Sequence, residues 1–178
     1  MTDRDLIKGC IRENRACQKE VFRRYAGKMM AVCLRYSRNR MEAEDVLQDA
    51  FIRIFDHIGD FAFKGSLEGW IRRIVVNTAL QQYRQLSRRE EEQGLEEVET
   101  FALEPSIYAH LHEKELLNLI AQLPDGYRMV FNLHAIEGYS HREISELLGI
   151  EESTSRSQLV KARKLLQAKI LDMQKIAV

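Results

Sequence analysis

The stretch YSHREISELLGIEESTSRSQLVKARKLL, from Tyr139 to Leu166, decides how the chain is read. Ser140 followed three residues later by Glu143 forms a capping box, and Ile144, Leu147 and Leu148 make the inner stripe of the helix it starts. Gly149 stops that helix, because glycine enters the left-handed conformation that a sharp turn needs. A second helix is expected from about Ser153, with Leu159, Ala162, Leu166, Ile170 and Met173 facing inward. Ser153, Thr154, Ser157, Lys161 and Lys164 then point away from that stripe, with Arg156 and Gln158 at its flanks. The pair is a helix-turn-helix whose second helix is rich in hydrogen-bond donors.

A face of that kind fits the major groove of duplex DNA. Hydroxyls and lysines bond phosphates, while Arg and Gln side chains can make paired hydrogen bonds to base edges. Upstream, LPDGYRMVFNLHAIEG supplies a supporting helix that begins near Pro124, where a missing amide proton does no harm. Met129, Val130, Leu133 and Ile136 are expected to pack beneath the pair.

Charge is distributed to the same effect. The 178-residue chain has a formal net charge of zero, which by itself speaks against a nucleic-acid binder. From Ser153 onward, however, Arg156, Lys161, Arg163, Lys164, Lys169 and Lys175 face a single acid, Asp172. Between Leu86 and Pro105, seven glutamates outnumber two arginines. That acidic block has little apolar periodicity and reads as a flexible linker, although EEEQGLEEVE would also tolerate helix. The expected architecture is all-α: an N-terminal helical bundle over 1–85, an acidic linker over 86–108 and a helix-turn-helix bundle over 109–178.

Composition narrows the class further. With 45% hydrophobic and 30% charged residues and only two prolines, the sequence suits a water-soluble helical protein. No window approaches the roughly 18 uninterrupted apolar residues of a membrane span, and TDRDLIKG after Met1 is not a basic-then-apolar leader, so no membrane insertion and a cytoplasmic location are expected. Cys10, Cys17 and Cys33 are odd in number and form no CxxC pair, which fits buried free thiols. His110 and His112, or His134 and His141, lack further ligands at helical spacing, so no metal is expected. No cofactor-cradling glycine loop or nucleophile-base set is present, so the chain is not read as an enzyme.

The N-terminal half contains one very regular helix, AEDVLQDAFIRIF, whose Ala43, Val46, Leu47, Ala50, Phe51, Ile54 and Phe55 form one apolar stripe. Glu42, Asp45, Gln48, Asp49 and Asp56 lie on its other face, which suits either a solvated surface or a docking site for a basic partner. A further helix, SLEGWIRRIVVNTALQQYRQ, opens at Ser66, with Ile71, Ile74, Val75 and Thr78 on its buried side. Arg73, Asn77 and Arg84 share a different side. Just upstream, Phe61, Phe63 and Lys64 occupy a glycine-bounded loop, where aromatic rings beside a cation can stack unpaired bases. Phe61, Phe63 and Trp70 suit a core equally well.

In order and spacing, AEDVLQDAFIRIF, GWIRRIVVNTALQQYRQ, LPDGYRMVFNLHAIEGYSHREISELLGI and STSRSQLVKARKLL resemble the bacterial sigma factors of the extracytoplasmic-function group, within the sigma-70 family. The resemblance begins at LIKGCIRENRACQKEVFRRYAGKMMAVCLRYSRN and spans nearly the whole chain. It implies a promoter-specificity factor that binds core RNA polymerase, captures single-stranded bases of the minus-ten element with its N-terminal domain and reads the double-stranded minus-thirty-five element with its helix-turn-helix. On the resemblance, Glu42, Asp45, Gln48 and Asp49 match the polymerase-docking helix. Phe61, Phe63, Lys64, Arg73, Asn77 and Arg84 match the segment that opens and reads the minus-ten element, and Ser153, Thr154, Arg156, Ser157, Gln158, Lys161 and Lys164 match the recognition helix. An anti-sigma factor is an implied partner, and the acidic linker is similar to the family connector that follows the RNA exit path.

Three positions depart from the family pattern. Gln81 stands where an acid is frequent, Glu151 where a capping Ser or Thr is usual, and Ser155 where an apolar inner-face residue is usual. The Ser155 hydroxyl is expected to bond back to a helix carbonyl. A conventional DNA-binding regulator and a protein-binding adaptor are the alternatives from other classes; two domains on one chain, matching two promoter elements, favour the sigma-factor reading.

Overall fold

A computed structural model describes residues 2–94 and 111–176 of the chain, and these divide into two compact units, Met1–Ser87 and Arg88–Val178. Every regular element among the described residues is helical.

The first unit is built from α1 (Asp3–Ile11), α2 (Arg15–Tyr36), α3 (Arg40–His57), a short 3-10 turn (Ile58–Asp60) and α4 (Leu67–Gln93). Each helix start has a side-chain acceptor for its free amides. Thr2 and Asp5 form a capping box on α1, the Asn14 amide oxygen accepts from Ala16 and Cys17, and the Asn39 oxygen accepts from Glu42. At α4 the Gly69 amide donates to the Ser66 hydroxyl at 3.1 Å, as the sequence predicts.

The periodic stripe of α3 becomes core. Ala43, Val46, Ala50, Phe51 and Ile54 are buried, while Leu47 and Phe55 are half-buried at its edge. Ile71, Val75 and Thr78 of α4 are buried as expected; Ile74 is only half-buried, and Val76 lies deeper than it does. All three cysteines are buried free thiols. Burial pushes the Cys10 thiol up to about 11 and the Cys33 thiol up to about 12, so both remain protonated and unreactive at neutral pH. A Cβ at Gly9 would overlap the Cys17 sulfur, so the crossing of α1 and α2 depends on that glycine.

The second unit consists of α5 (Leu111–Ala121), α6 (Asp125–Phe131) running into a π-turn (Asn132–Ile136), α7 (His141–Leu148) and α8 (Glu152–Ile176). Its core joins Leu119, Ile120 and Leu123 to Ala162 and Leu166, with Tyr127 and Phe131 against them. Met129, Val130 and Leu133 are fully buried beneath the helix pair. Ile136, expected with them, is exposed, because the π-turn adds a residue to the helical repeat and rotates its side chain outward. The inner stripe of α8 likewise ends early. Ile170 and Met173 are 37% and 36% exposed, where α8 extends past the cluster that buries Leu166.

Buried at the centre of this unit is a cation. Arg128 has no exposed surface, pairs with Asp125 at 2.7 Å and donates to the carbonyls of Ala121 and Leu123. A guanidinium out of water requires such partners. Arg128 therefore ties the start of α6 to the end of α5.

Helix α4 reaches Gln93, so the start of the stretch expected as linker from residue 86 is helical. SRREEEQ is composed almost wholly of good helix formers, and with the preceding turns already formed it extends them. Residues 95–108 of that expected linker lie outside the described residues, as does His110.

Candidate nucleic-acid and partner interfaces

The helix-turn-helix is built from α7 and α8. Ser140 accepts from the Glu143 amide while the Glu143 carboxylate accepts from the Ser140 amide at 2.8 Å, completing the capping box. Those hydrogen bonds hold the Glu143 carboxyl below its ordinary pKa. Gly149 ends α7 at φ 68°, ψ 37°, with its amide bonded to Ser145. Ile144, Leu159 and Ala162 are buried between the helices.

The donor face of α8 is open to solvent at Ser153, Arg156, Ser157, Lys161 and Lys164; Thr154 and Gln158 are half-buried. Arg156 is held by both terminal nitrogens to one oxygen of Glu152 at 3.1 Å. The Ser157 hydroxyl donates to the Thr154 carbonyl, and the Lys161 ammonium sits 6.0 Å from the Tyr127 ring centre. Gln158 packs beside Gly126, where a Cβ would lie 3.0 Å from its amide nitrogen. Five of the seven recognition-helix candidates thus form one exposed polar surface, with Thr154 and Gln158 at its margin.

Ser155 differs from expectation. It is fully buried, and its hydroxyl is hydrogen-bonded to His141 Nδ1 at 2.8 Å rather than to a carbonyl of its own helix. The His141 ring stacks on that of His134 at 4.5 Å and 11°, and His134 Nδ1 donates to the Tyr139 carbonyl at 2.9 Å. A polar residue sits on the inner face because an imidazole on α7 lies within hydrogen-bond reach. Burial is the main cause that lowers the His141 pKa, reinforced by the charges of His134, Arg156 and Arg163 and opposed by Glu152.

In the first unit, Asp45, Gln48 and Asp49 are exposed on α3. Asp49 accepts from the Gln82 amide at 2.7 Å, and Glu42 is occupied by the helix start, its carboxylate accepting from the Arg38 amide at 2.9 Å. Asp45 and Gln48 remain as the most available members of the expected docking face. Met41 and Ile52, which the sequence reading did not single out, are exposed apolar side chains on the same face. Their spacing of four before Asp45 and four after Gln48 could have revealed them.

The loop after α3 separates its aromatic residues. Phe61 is buried, 5.8 Å from Trp70, and belongs to the core, whereas Phe63 is 48% exposed and touches Phe61 at 5.0 Å. Phe63 adopts φ 56°, a left-handed conformation uncommon for an aromatic residue, and Gly65 follows at φ 95°. Lys64, Arg73, Asn77 and Arg84 are all exposed. Lys64, Arg73 and Asn77 make no hydrogen bond or ion pair with the described residues. Phe63 and a row of polar side chains are thus exposed, and Phe61 is taken out of the exposed set.

No described helix is long and apolar enough to cross a membrane, and no group of three or more metal-ligating side chains occurs among the described residues.

The two units match two parts of one family. Residues 21–89 match the model of sigma-70 region 2 and residues 113–166 that of sigma-70 region 4. The chain is 31% identical to the ECF RNA polymerase sigma factor SigE of Mycolicibacterium smegmatis over 153 residues, covering 83% of this chain and 59% of that protein. It is 26% identical to the ECF RNA polymerase sigma-E factor of Haemophilus influenzae, covering 96% of each. The fold is similar to that of the sigma factor RpoE solved with the anti-sigma factor NepR from Bartonella quintana, with a TM-score of 0.57, 22% identity, and coverage of 84% of this chain and 94% of that one. With region 2 in its first unit and region 4 in its second, the chain belongs to the sigma-70 family, in the extracytoplasmic-function group of RNA polymerase sigma factors.

Proposed function

We propose that this protein is a promoter-specificity factor: it binds core RNA polymerase and directs initiation by recognising the minus-ten and minus-thirty-five elements. The observation that carries this reading is the occurrence, on one chain, of a region 4 helix-turn-helix with an open cationic face and a region 2 unit with a partly open aromatic-cationic loop.

In this function α8 enters the major groove at the upstream element. Ser153, Ser157, Lys161 and Lys164 bond phosphates, and Arg156 turns from Glu152 to a base edge. An exposed ion pair of this kind contributes only about 0.3–0.5 kcal/mol, so leaving it costs little. The face of α3 around Asp45 and Gln48 docks on the polymerase. The Phe63–Lys64 loop, with Arg73, Asn77 and Arg84 of α4, holds the opened strand of the downstream element. Polymerase performs the chemistry; this chain contributes binding, position and strand capture. The factor acts in the cytoplasm, and an anti-sigma protein holds it inactive by covering the same surfaces.

Permanganate probing of complexes formed by this protein, core polymerase and a promoter selected from a random library tests the reading. Unpaired thymines should appear around the minus-ten element only when this chain is present. Duplex protection by the chain alone, with no opening when polymerase is added, would instead identify a conventional DNA-binding regulator.

A further inference from the structure

The exposed ring of Phe63 is already covered by a cation. The guanidinium of Arg4, from the first turn of α1, lies 5.3 Å from the ring centre, although 59 residues separate the two in sequence. Arg4 is itself exposed and makes no hydrogen bond or ion pair with the described residues, so among these the ring is its one partner. Both neighbouring acids of α1 are engaged elsewhere: Asp3 faces Arg24 at 3.8 Å, and Asp5 closes the Thr2 capping box. The ring packs on buried Phe61, with centroids 5.0 Å apart, and its backbone lies in the left-handed region at φ 56°. An exposed aromatic face under an exposed guanidinium, with the exposed ammonium of Lys64 next in sequence, has the composition of a nucleobase clamp. A base stacks on such a ring, and an arginine plane can stack on the base or pair with its phosphate.

We propose that Arg4 is a strand-capture residue: in the free protein it covers Phe63, and on promoter opening an unstacked base takes its place on the ring while the guanidinium moves to the base's outer face or flanking phosphate. The ligand class is single-stranded DNA. The inference rests on the proposed minus-ten function of this loop and adds to it a cation from a helix outside the segment that the family resemblance assigned to strand opening. Since a cation–π contact at an exposed site is weak, uncovering the ring costs little, and stacking of the base drives the exchange when a strand arrives.

The test uses the full chain bound to core polymerase and a single-stranded deoxyoligonucleotide that the wild-type complex selects from a random pool. Binding is followed by fluorescence anisotropy, with 2-aminopurine placed at each position in turn to report stacking. Arg4→Ala should weaken strand binding about fivefold to tenfold and reduce the quenching of one 2-aminopurine position; Arg4→Lys should restore part of the affinity but less of the quenching. Phe63→Ala should lose the quenching at the same position, and upstream duplex binding should be unchanged in all three. If Arg4→Ala binds and quenches as wild type while Phe63→Ala does not, the arginine merely packs on the ring and the inference is overturned with the loop's function intact. If Phe63→Ala and Lys64→Ala are also without effect, the strand-capture function of the loop falls and this inference falls with it.

Discussion

His141 on α7 and Ser155 on α8 are joined by a 2.8 Å hydrogen bond across the helix-turn-helix, at an inner-face position where the sequence reading expects an apolar residue. The bond ties the first turn of α8 to α7, and the His134 ring stacks on the face of the imidazole. Replacing Ser155 with Ala removes one hydrogen bond while keeping the inner face filled, and should cost about 1 kcal/mol of stability in urea unfolding.

Burial of the His141 ring should make the second unit sensitive to acid. The folded-state pKa of His141 is lowered, so between that value and the unfolded value near 6.5 the unfolded chain binds more protons than the folded one. Stability therefore rises with pH through that window and is lost as pH falls below about 6.5 toward the folded value. The facing groups are His134 on the π-turn and Glu152, Arg156 and Arg163 on α8. Urea midpoints measured between about pH 7.5 and pH 5.5 should fall, and the fall should be smaller in His141→Gln. An equal fall in the variant would assign the acid sensitivity to another group.

Arg128 gives a stronger stability prediction. Arg128→Ala removes the guanidinium that serves the Ala121 and Leu123 carbonyls and the Asp125 carboxylate, at a cost of about 3 kcal/mol or more. The chain's one tryptophan, Trp70, lies in the first unit and distinguishes local from general loss. The substitution should lower the helical transition seen by circular dichroism and leave the Trp70 fluorescence transition in place.

On the proposed recognition helix, α8, lysine and arginine should behave differently. Lys161→Ala or Lys164→Ala removes one phosphate contact, weakening binding to all sequences and reducing the salt dependence by about one counterion. Arg156→Ala should cost about 1–3 kcal/mol on the preferred upstream element and relax the preference at one base position. Binding isotherms of the polymerase complex at several salt concentrations, on preferred and scrambled elements, separate the two outcomes.

For the docking face, Asp45→Arg gives a cleaner test than a change at Asp49, whose carboxylate holds Gln82 of α4. Association with core polymerase should weaken about tenfold or more by co-sedimentation, with the thermal midpoint unchanged. Full retention would move the docking surface off this part of α3.

Much of this was legible in the sequence, for local reasons. The Ser140–Glu143 box, Gly149 and the Leu159–Ala162–Leu166 stripe are each encoded within one or two helical turns, so periodicity and capping rules suffice. Features set by contacts between elements were not. The Ser155–His141 bond spans a turn, and the Arg4–Phe63 contact joins residues 59 apart. Ile136 was misplaced because a π-turn shifts the helical phase, and Ile170 and Met173 because periodicity does not reveal where a long helix outruns its partners. Arg128 carried a faint signal in its spacing of three from Asp125, but an arginine among apolar neighbours reads first as surface.

The central claim is that the exposed face of α8 chooses where polymerase starts while the first unit holds the enzyme. Start-site mapping on a promoter library, with purified core polymerase and either this protein, its Arg156→Ala/Lys161→Ala variant or no added factor, tests it most directly. A defined set of start sites should appear with the protein, lose its upstream-element preference with the variant and be absent without the factor. An identical start-site profile in all three reactions would contradict the account.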